Sequence, residues 1–221
     1  MNNFTNVIDV INTSKGNYIL RLDKNGINFN AGQFFSIGHE KLGINREYSV
    51  ASSSDKNYID FFIREVEGGS FSGELRKLKR GDKVKILGPY GEFYLRSFNP
   101  DANFIFFATG TGIAPFVSLI DTHKIINYTI FHGIREFEDF YNLKKLNNYN
   151  LAISRESIDQ NNSDKFQNIK KGRINQFVKN LTIEENMLFF LCGNSLMVSQ
   201  IYDELINKKV KQEKIFTEIF F

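Results

Sequence analysis

The chain has 221 residues, 42% of them hydrophobic and 24% charged, which excludes a largely disordered polypeptide and leaves room for two domains of about 100 residues each. Its net charge of +3 comes from Lys and Arg dispersed along the chain, which argues against a nucleic-acid grip and suits an acidic protein partner. The single cysteine, Cys192, excludes a disulfide framework and a resident iron–sulfur cluster, and three histidines argue against a His-rich metal site.

The N-terminus MNNFTNVIDVIN lacks a basic start followed by an apolar run, and no stretch of about 18 apolar residues occurs, so a cytoplasmic chain without a membrane span is expected. Thr5–Asn12, Tyr18–Asp23, Gln33–His39, Arg46–Ser52, Tyr58–Val66 and Lys83–Leu87 are short runs rich in Val, Ile, Phe and Tyr, punctuated by Gly, Asn, Asp and Ser. Short strands at this spacing predict an antiparallel six-stranded β-barrel, interrupted by one helix at Ser72–Leu78. After Phe98–Ala102 the rhythm changes. Strands are expected at Phe104–Ala108, Tyr128–His132, Leu151–Ser154, Met187–Cys192 and Ile215–Phe221. Helices are expected at Ala114–His123, Asp139–Leu146, Ile174–Asn180 and Leu196–Lys208. This alternation predicts an α/β parallel-sheet nucleotide-binding domain over residues 99–221, following the barrel domain of residues 1–98.

Six segments carry candidate chemistry. TGTGIAP, Thr109–Pro115, follows a buried strand and opens a helix; its glycines allow backbone N–H groups to approach a pyrophosphate, or simply make a tight strand–helix turn. REYS, Arg46–Ser49, offers a guanidinium fork for phosphate and a flat ring for an aromatic cofactor, if a bulge or strand end brings Arg, Tyr and Ser together. GGSFSGEL, Gly68–Leu75, is a second phosphate cradle or an ordinary helix cap at Ser70 or Ser72. CGNSLM, Cys192–Met197, turns from a strand into a helix at the sheet edge where ligands bind, or holds a structural cysteine. Arg135, Arg155 and Arg173 follow successive strands of the second half and form a clamp for a phosphate monoester if the strand ends converge, or are three solvated surface arginines. TEIFF at the C-terminus sets Phe220 and Phe221 beside the carboxylate of Glu218, as a ring cover or as a closing edge strand.

Together and in this order, the six segments resemble the ferredoxin–NADP reductase family, above all its compact bacterial ferredoxin/flavodoxin type, over nearly the whole chain. REYS is similar to the family's R-x-Y-S flavin motif, TGTGIAP to its G-T-G-x-x-P loop and CGNSLM to its C-G-N-P-x-M motif. The resemblance implies FAD and NADP(H) as cofactors and no metal. It implies that Arg46 holds the FAD pyrophosphate, with Glu47 beside it in the motif, that Tyr48 stacks on the isoalloxazine and that Ser49 lies near flavin N5. Phe62, Ile63 and Arg64 would border the ribose and adenine side, and Gly69, Ser70, Phe71 and Ser72 would form the second pyrophosphate cradle. Gly110, Thr111 and Gly112 would approach both cofactors. Arg135, Ser154, Arg155 and Arg173 would clamp the NADP phosphate. Cys192, Gly193 and Glu218 would flank the nicotinamide, and Phe220 and Phe221 would cover the flavin. Ser49, Cys192 and Glu218 are the implied catalytic residues.

The sequence departs from the family in three places. Ser195 replaces the usual Pro. Phe220 and Phe221 replace Tyr and Trp. The polar stretch SIDQNNSDKFQNIKK lengthens the approach to Arg173.

The reaction implied is hydride exchange between NADP(H) and the flavin, followed by single-electron exchange with ferredoxin or flavodoxin, in a monomer. An NAD(P)H-dependent flavin reductase and an oxygenase's reductase component share this architecture. A flavin-holding subunit or sensor is the non-enzymatic alternative.

Overall fold

The computed structural model describes residues 4–39, 42–141, 146–156 and 166–220. The chain divides into two compact units, residues 1–97 with 114–124, and residues 98–113 with 125–221.

The first unit contains strands β1 (Phe4–Asn12), β2 (Asn17–Asp23), β3 (Phe34–His39), β4 (Ile44–Ser49), β5 (Tyr58–Arg64) and β6 (Lys83–Tyr90), with helix α1 at Ser70–Arg76. Their order is β4-β3-β6-β1-β2-β5, and every pair is antiparallel. An antiparallel bridge between Val50 and Phe61 joins the two ends of this order and closes the barrel. Alternation along the strands sends Leu20, Leu22, Phe35, Ile37, Phe61, Ile63, Val84 and Ile86 into one buried cluster. The helix lays Phe71 and Leu75 on the same cluster. It begins two residues before the expected Ser72 and its N-cap is Gly69, so neither Ser70 nor Ser72 caps it.

Helix α2 (Ala114–His123) groups with this barrel unit rather than with the strands on either side of it in sequence. Its Ser118 hydroxyl donates to the Ser52 carbonyl at 2.7 Å, and the Thr122 hydroxyl accepts from the Ser54 N–H at 3.0 Å. The barrel unit thus takes in one helix from the chain segment beyond residue 98.

The second unit holds β7 (Asn103–Thr109), β8 (Tyr128–Ile134), β9 (Tyr149–Ile153), β10 (Asn168–Lys171), β11 (Met187–Asn194) and β12 (Ile215–Phe220), with α3 (Asn175–Lys179) and α4 (Ser195–Asn207). The sheet is parallel throughout, in the order β10-β9-β8-β7-β11-β12. Continuous apolar runs such as FIFFA belong in a sheet buried on both faces. Ile105, Phe107, Phe189 and Leu191 pack against α3 and α4, while Phe104, Phe106, Phe190 and Phe216 make ring contacts with one another.

Two expectations need correction. The helix expected at Asp139–Leu146 is replaced, where described, by a single 3-10 turn at Phe137–Asp139; Phe140, Tyr141 and Leu146 are not helical, and the rest lies outside the described residues. Phe140 instead turns its ring onto Tyr149 and Phe166. Strand β10 arises inside the polar stretch, where the sequence predicts no element. Its sequence NIKK holds a single apolar residue, Ile169, too little to mark a strand, and backbone pairing to β9 makes it one.

Candidate functional site

In the barrel unit, the REYS segment ends β4. Its pairing with β3 is regular from Ile44 to Ser49, so Ser49 stands at a strand end and no bulge reorders the motif. Arg46 and Glu47 are exposed, Tyr48 is half-buried against the barrel core, and Ser49 is buried. The Arg46 guanidinium donates to the Asn45 carbonyl at 2.9 Å. Burial pushes the Tyr48 phenol up to about 12 against the pull of Arg46, so the ring is neutral at any physiological pH. A neutral, half-exposed ring beside an exposed guanidinium suits an aromatic ligand carrying phosphate.

On the neighbouring strand, Phe62 and Ile63 are buried and Arg64 is exposed. The Ile63 side chain belongs to the barrel core, as does that of Phe71, so only their backbone remains for a ligand. The Ser72 hydroxyl accepts from the Val66 N–H at 3.0 Å, and its carbonyl accepts from the Tyr18 hydroxyl at 2.6 Å. Ser72 thus clasps the turn ahead of α1 rather than standing open as a cradle. Gly69 and Ser70 are exposed, and no side chain caps the helix there, so its first N–H groups lack a side-chain partner. Arg76 ties α1 down through Asn12 at 2.9 Å and Glu65 at 2.6 Å.

In the second unit, strand order reverses between β7 and β11, and ligands of open parallel sheets bind beyond the carboxyl ends at such a point. Gly110–Ile113 form a 3-10 turn directly after β7, and Asn194 ends β11. The Asn194 N–H donates to the Thr109 hydroxyl at 2.9 Å, linking the two strand ends. A Cβ at Gly112 would lie 2.8 Å from the Cys192 carbonyl carbon, and one at Gly193 would lie 3.0 Å from the Thr109 nitrogen and oxygen. These two glycines therefore let backbone meet backbone across the switch point. Gly193 also stands at φ +132°, whereas Gly110, at φ +54°, needs glycine for its dihedral alone, because a Cβ there would meet nothing within 4 Å. Thr111 is half-buried beside it.

Cys192 and Glu218 are register partners on β11 and β12, and the fully buried thiol points to the Glu218 carboxylate at 3.9 Å. Burial, aided by that carboxylate, pushes the thiol well up, so it stays protonated. Asn194 caps α4 by accepting from Leu196 and Met197 N–H groups. Ser195, where the family has Pro, is the first residue of that helix, a position at which either is accommodated. Phe220 is half-buried at the end of β12; Phe221 lies outside the described residues.

The arginine-bearing segments leave adjacent strands. Arg155 N–H donates to the Arg135 carbonyl at 2.9 Å, and Gly172 N–H, just before Arg173, donates to the Ile153 carbonyl at 2.7 Å. All three arginines are exposed. Arg173 reaches this edge because β10 precedes it. Ser154 spends its hydroxyl proton on the Ile134 carbonyl at 3.2 Å. Glu156 accepts from the Phe137 N–H at 2.7 Å.

Two residues of this site, His132 and Tyr149, belong to none of the six segments. His132 is fully buried in β8, with its Nε2 2.8 Å from the Gly110 carbonyl and its Nδ1 2.6 Å from the Tyr149 hydroxyl. Their signal in the sequence is YTIFHGI, where one imidazole interrupts an apolar strand. Among the described residues no His/Cys/Asp/Glu group suited to a metal occurs, and no helix is long and apolar enough to cross a membrane.

Residues 6–94 match the family model described as oxidoreductase FAD-binding domain, and residues 106–203 match that described as oxidoreductase NAD-binding domain. The chain belongs to the ferredoxin reductase family. A flavodoxin/ferredoxin–NADP reductase of Buchnera aphidicola is 29% identical over 202 residues, 82% of this chain and 80% of that one. The reductase component DmpP of phenol 2-monooxygenase from a Pseudomonas species is 28% identical over 97% of this chain but only 64% of its own length. The crystal structure of a ferredoxin NADP+ reductase from Neisseria gonorrhoeae with bound FAD and NADP has the same fold, with a TM-score of 0.85 at 21% identity over all of both chains. The family assignment makes the chain an oxidoreductase with a FAD-binding barrel and an NAD(P)-binding sheet.

Proposed function

We propose that the protein is a ferredoxin or flavodoxin–NADP reductase, passing electrons between NADP(H) and a small acidic carrier protein. One observation carries this reading furthest. The Cys192–Glu218 pair stands beside the glycine turn at the sheet's switch point, in a chain whose similarity to the Buchnera enzyme runs over most of both lengths. Bound FAD supplies the ring that takes hydride from the nicotinamide and releases electrons singly.

The residues fit that group. Exposed Arg46 binds phosphate, and neutral Tyr48 offers its ring. The Gly69 N–H is taken by the Val66 carbonyl at 2.8 Å, so a second phosphate would meet the backbone N–H groups from Ser70 onward, which no side chain caps. The Glu218 carboxylate, backed at 3.9 Å by the buried, protonated Cys192, would hold the nicotinamide by hydrogen bonding, and neither group needs to transfer a proton. Arg135, Arg155 and Arg173 recognise the 2′-phosphate, and dispersed positive charge draws the carrier. The match to DmpP over 97% of this chain supports a second reading, a reductase serving an oxygenase.

The test is anaerobic NADPH titration of FAD-loaded protein. Bleaching of the flavin by NADPH, followed by reoxidation on adding ferredoxin or flavodoxin, is the expected result. Failure to retain FAD, or no bleaching, overturns the proposal; equal reduction by NADH favours the second reading. Arg155→Ala should remove the NADPH advantage and leave NADH nearly unaffected.

A further inference from the structure

We propose that His132 and Tyr149 are positioning residues that lock the Gly110–Thr111 peptide and so aim a backbone donor at the dinucleotide; this rests on the NADP-binding role given above. A carbonyl only accepts, so the Nε2 of His132 carries the proton donated to Gly110 at 2.8 Å. Nδ1 is then the acceptor, and the Tyr149 hydroxyl donates to it at 2.6 Å. The order is therefore Tyr149 O–H to His132 Nδ1, and His132 Nε2–H to the Gly110 carbonyl. Tyr149 is itself held edge-on by Phe140, and His132 meets its ring edge-on as well. Burial keeps the imidazole neutral, near pKa 4, so this single tautomer persists.

The lock matters because Gly110 is at φ +54° with open space where a Cβ would be. Glycine adopts either sign of φ with little penalty, so neither sterics nor a side chain sets the orientation of the peptide that follows it. In a trans peptide the C=O and the next N–H point in opposite directions. Holding the Gly110 carbonyl on the buried imidazole thus turns the Thr111 N–H away from the interior. That N–H opens a helical turn and has no partner within it. Filling the interior would need only an apolar ring. A histidine satisfied on both nitrogens, one of them by a backbone group outside its own strand, is what orienting that peptide requires.

The test compares NADP+ with 2′-AMP, which carries the 2′-phosphate and adenine but no pyrophosphate. Both affinities are measured by calorimetry on the FAD-loaded protein and its variants. His132→Leu should weaken NADP+ about tenfold and 2′-AMP less than about twofold. His132→Gln, whose amide nitrogen can stand in for Nε2, should recover most of the loss. Tyr149→Phe should show a smaller, equally selective effect, and it keeps the test open if His132→Leu does not fold. Equal weakening of both ligands, no weakening, or no advantage of Gln over Leu would overturn the relay alone. A wild-type protein that binds 2′-AMP and NADP+ not at all overturns the NADP reading and the relay with it.

Discussion

Gly112→Ala tests the switch-point geometry most directly. The added methyl would sit 2.8 Å from the Cys192 carbonyl carbon and 3.0 Å from the Gly193 Cα, with the carbonyl oxygen nearer still. Real Cβ atoms do not approach backbone this closely, so something must move. Strand β11 has little freedom to yield, because it is paired to β7 on one side and to β12 on the other through Cys192. The turn must give instead, and it is tied to His132 through Gly110. Overpacking costs roughly 1–3 kcal/mol, and this site belongs at the upper end because backbone, not a side-chain tip, is in the way. Loss of the Gly110 hydrogen bond adds about 1 kcal/mol. Gly110→Ala is the control: it has space for the methyl but a left-handed φ, which costs about 1–2 kcal/mol. Urea unfolding of wild type and both variants gives the comparison. The expected order of stability is wild type, then Gly110→Ala, then Gly112→Ala. A Gly112→Ala protein within about 0.5 kcal/mol of wild type would refute the close-approach argument.

Four further outcomes follow from the same contacts. The buried, protonated Cys192 should resist alkylation in the folded protein even at mildly alkaline pH, and react once urea unfolds it; labelling at the rate of a free thiol would contradict its burial. Cys192→Ser should keep its fold and FAD while slowing hydride transfer in stopped-flow; an unchanged rate would leave Cys192 a packing residue. Arg21 grips Asp60 through two hydrogen bonds of 2.7 and 2.8 Å between neighbouring barrel strands, so Asp60→Ala should cost about 1.5–3 kcal/mol by chemical denaturation. His132 titrates near 4 when folded and 6.5 when unfolded, because burial outweighs the opposing Gly110 bond and Asp139 charge. The unfolded chain therefore binds the extra proton, and stability should fall by about 3 kcal/mol as pH drops from 6.5 to 4; His132→Gln should flatten that slope.

Much of the fold is legible in the sequence because it rests on short-range physics. The alternation in Tyr18–Asp23 and the unbroken FIFFA run state which strands have one or two buried faces. Glycines at 110 and 112 mark a chain reversal after β7, and Asn194 before SLM marks a helix start. These signals are local, and the barrel, the parallel sheet and most segment ends follow from them.

What tertiary structure decided is which local pieces meet. Phe71 and Ser72 lie in a motif that resembles a phosphate cradle, yet one fills the barrel core and the other closes a turn, since an amphipathic helix must bury a face. Strand β10 exists because β9 offers an unpaired edge, not because NIKK favours extension. Gly112 and Gly193 look alike in sequence to Gly110, but only the approach of β11 to the turn separates Gly112, needed for contact, and Gly193, needed for contact and for its φ of +132°, from Gly110, needed for its dihedral alone. His132 and Tyr149 stand 17 positions apart and come together because β8 and β9 are neighbours in a parallel sheet. Periodicity constrains each residue against its own element; a hydrogen bond between elements depends on sheet order and register, which no single segment carries.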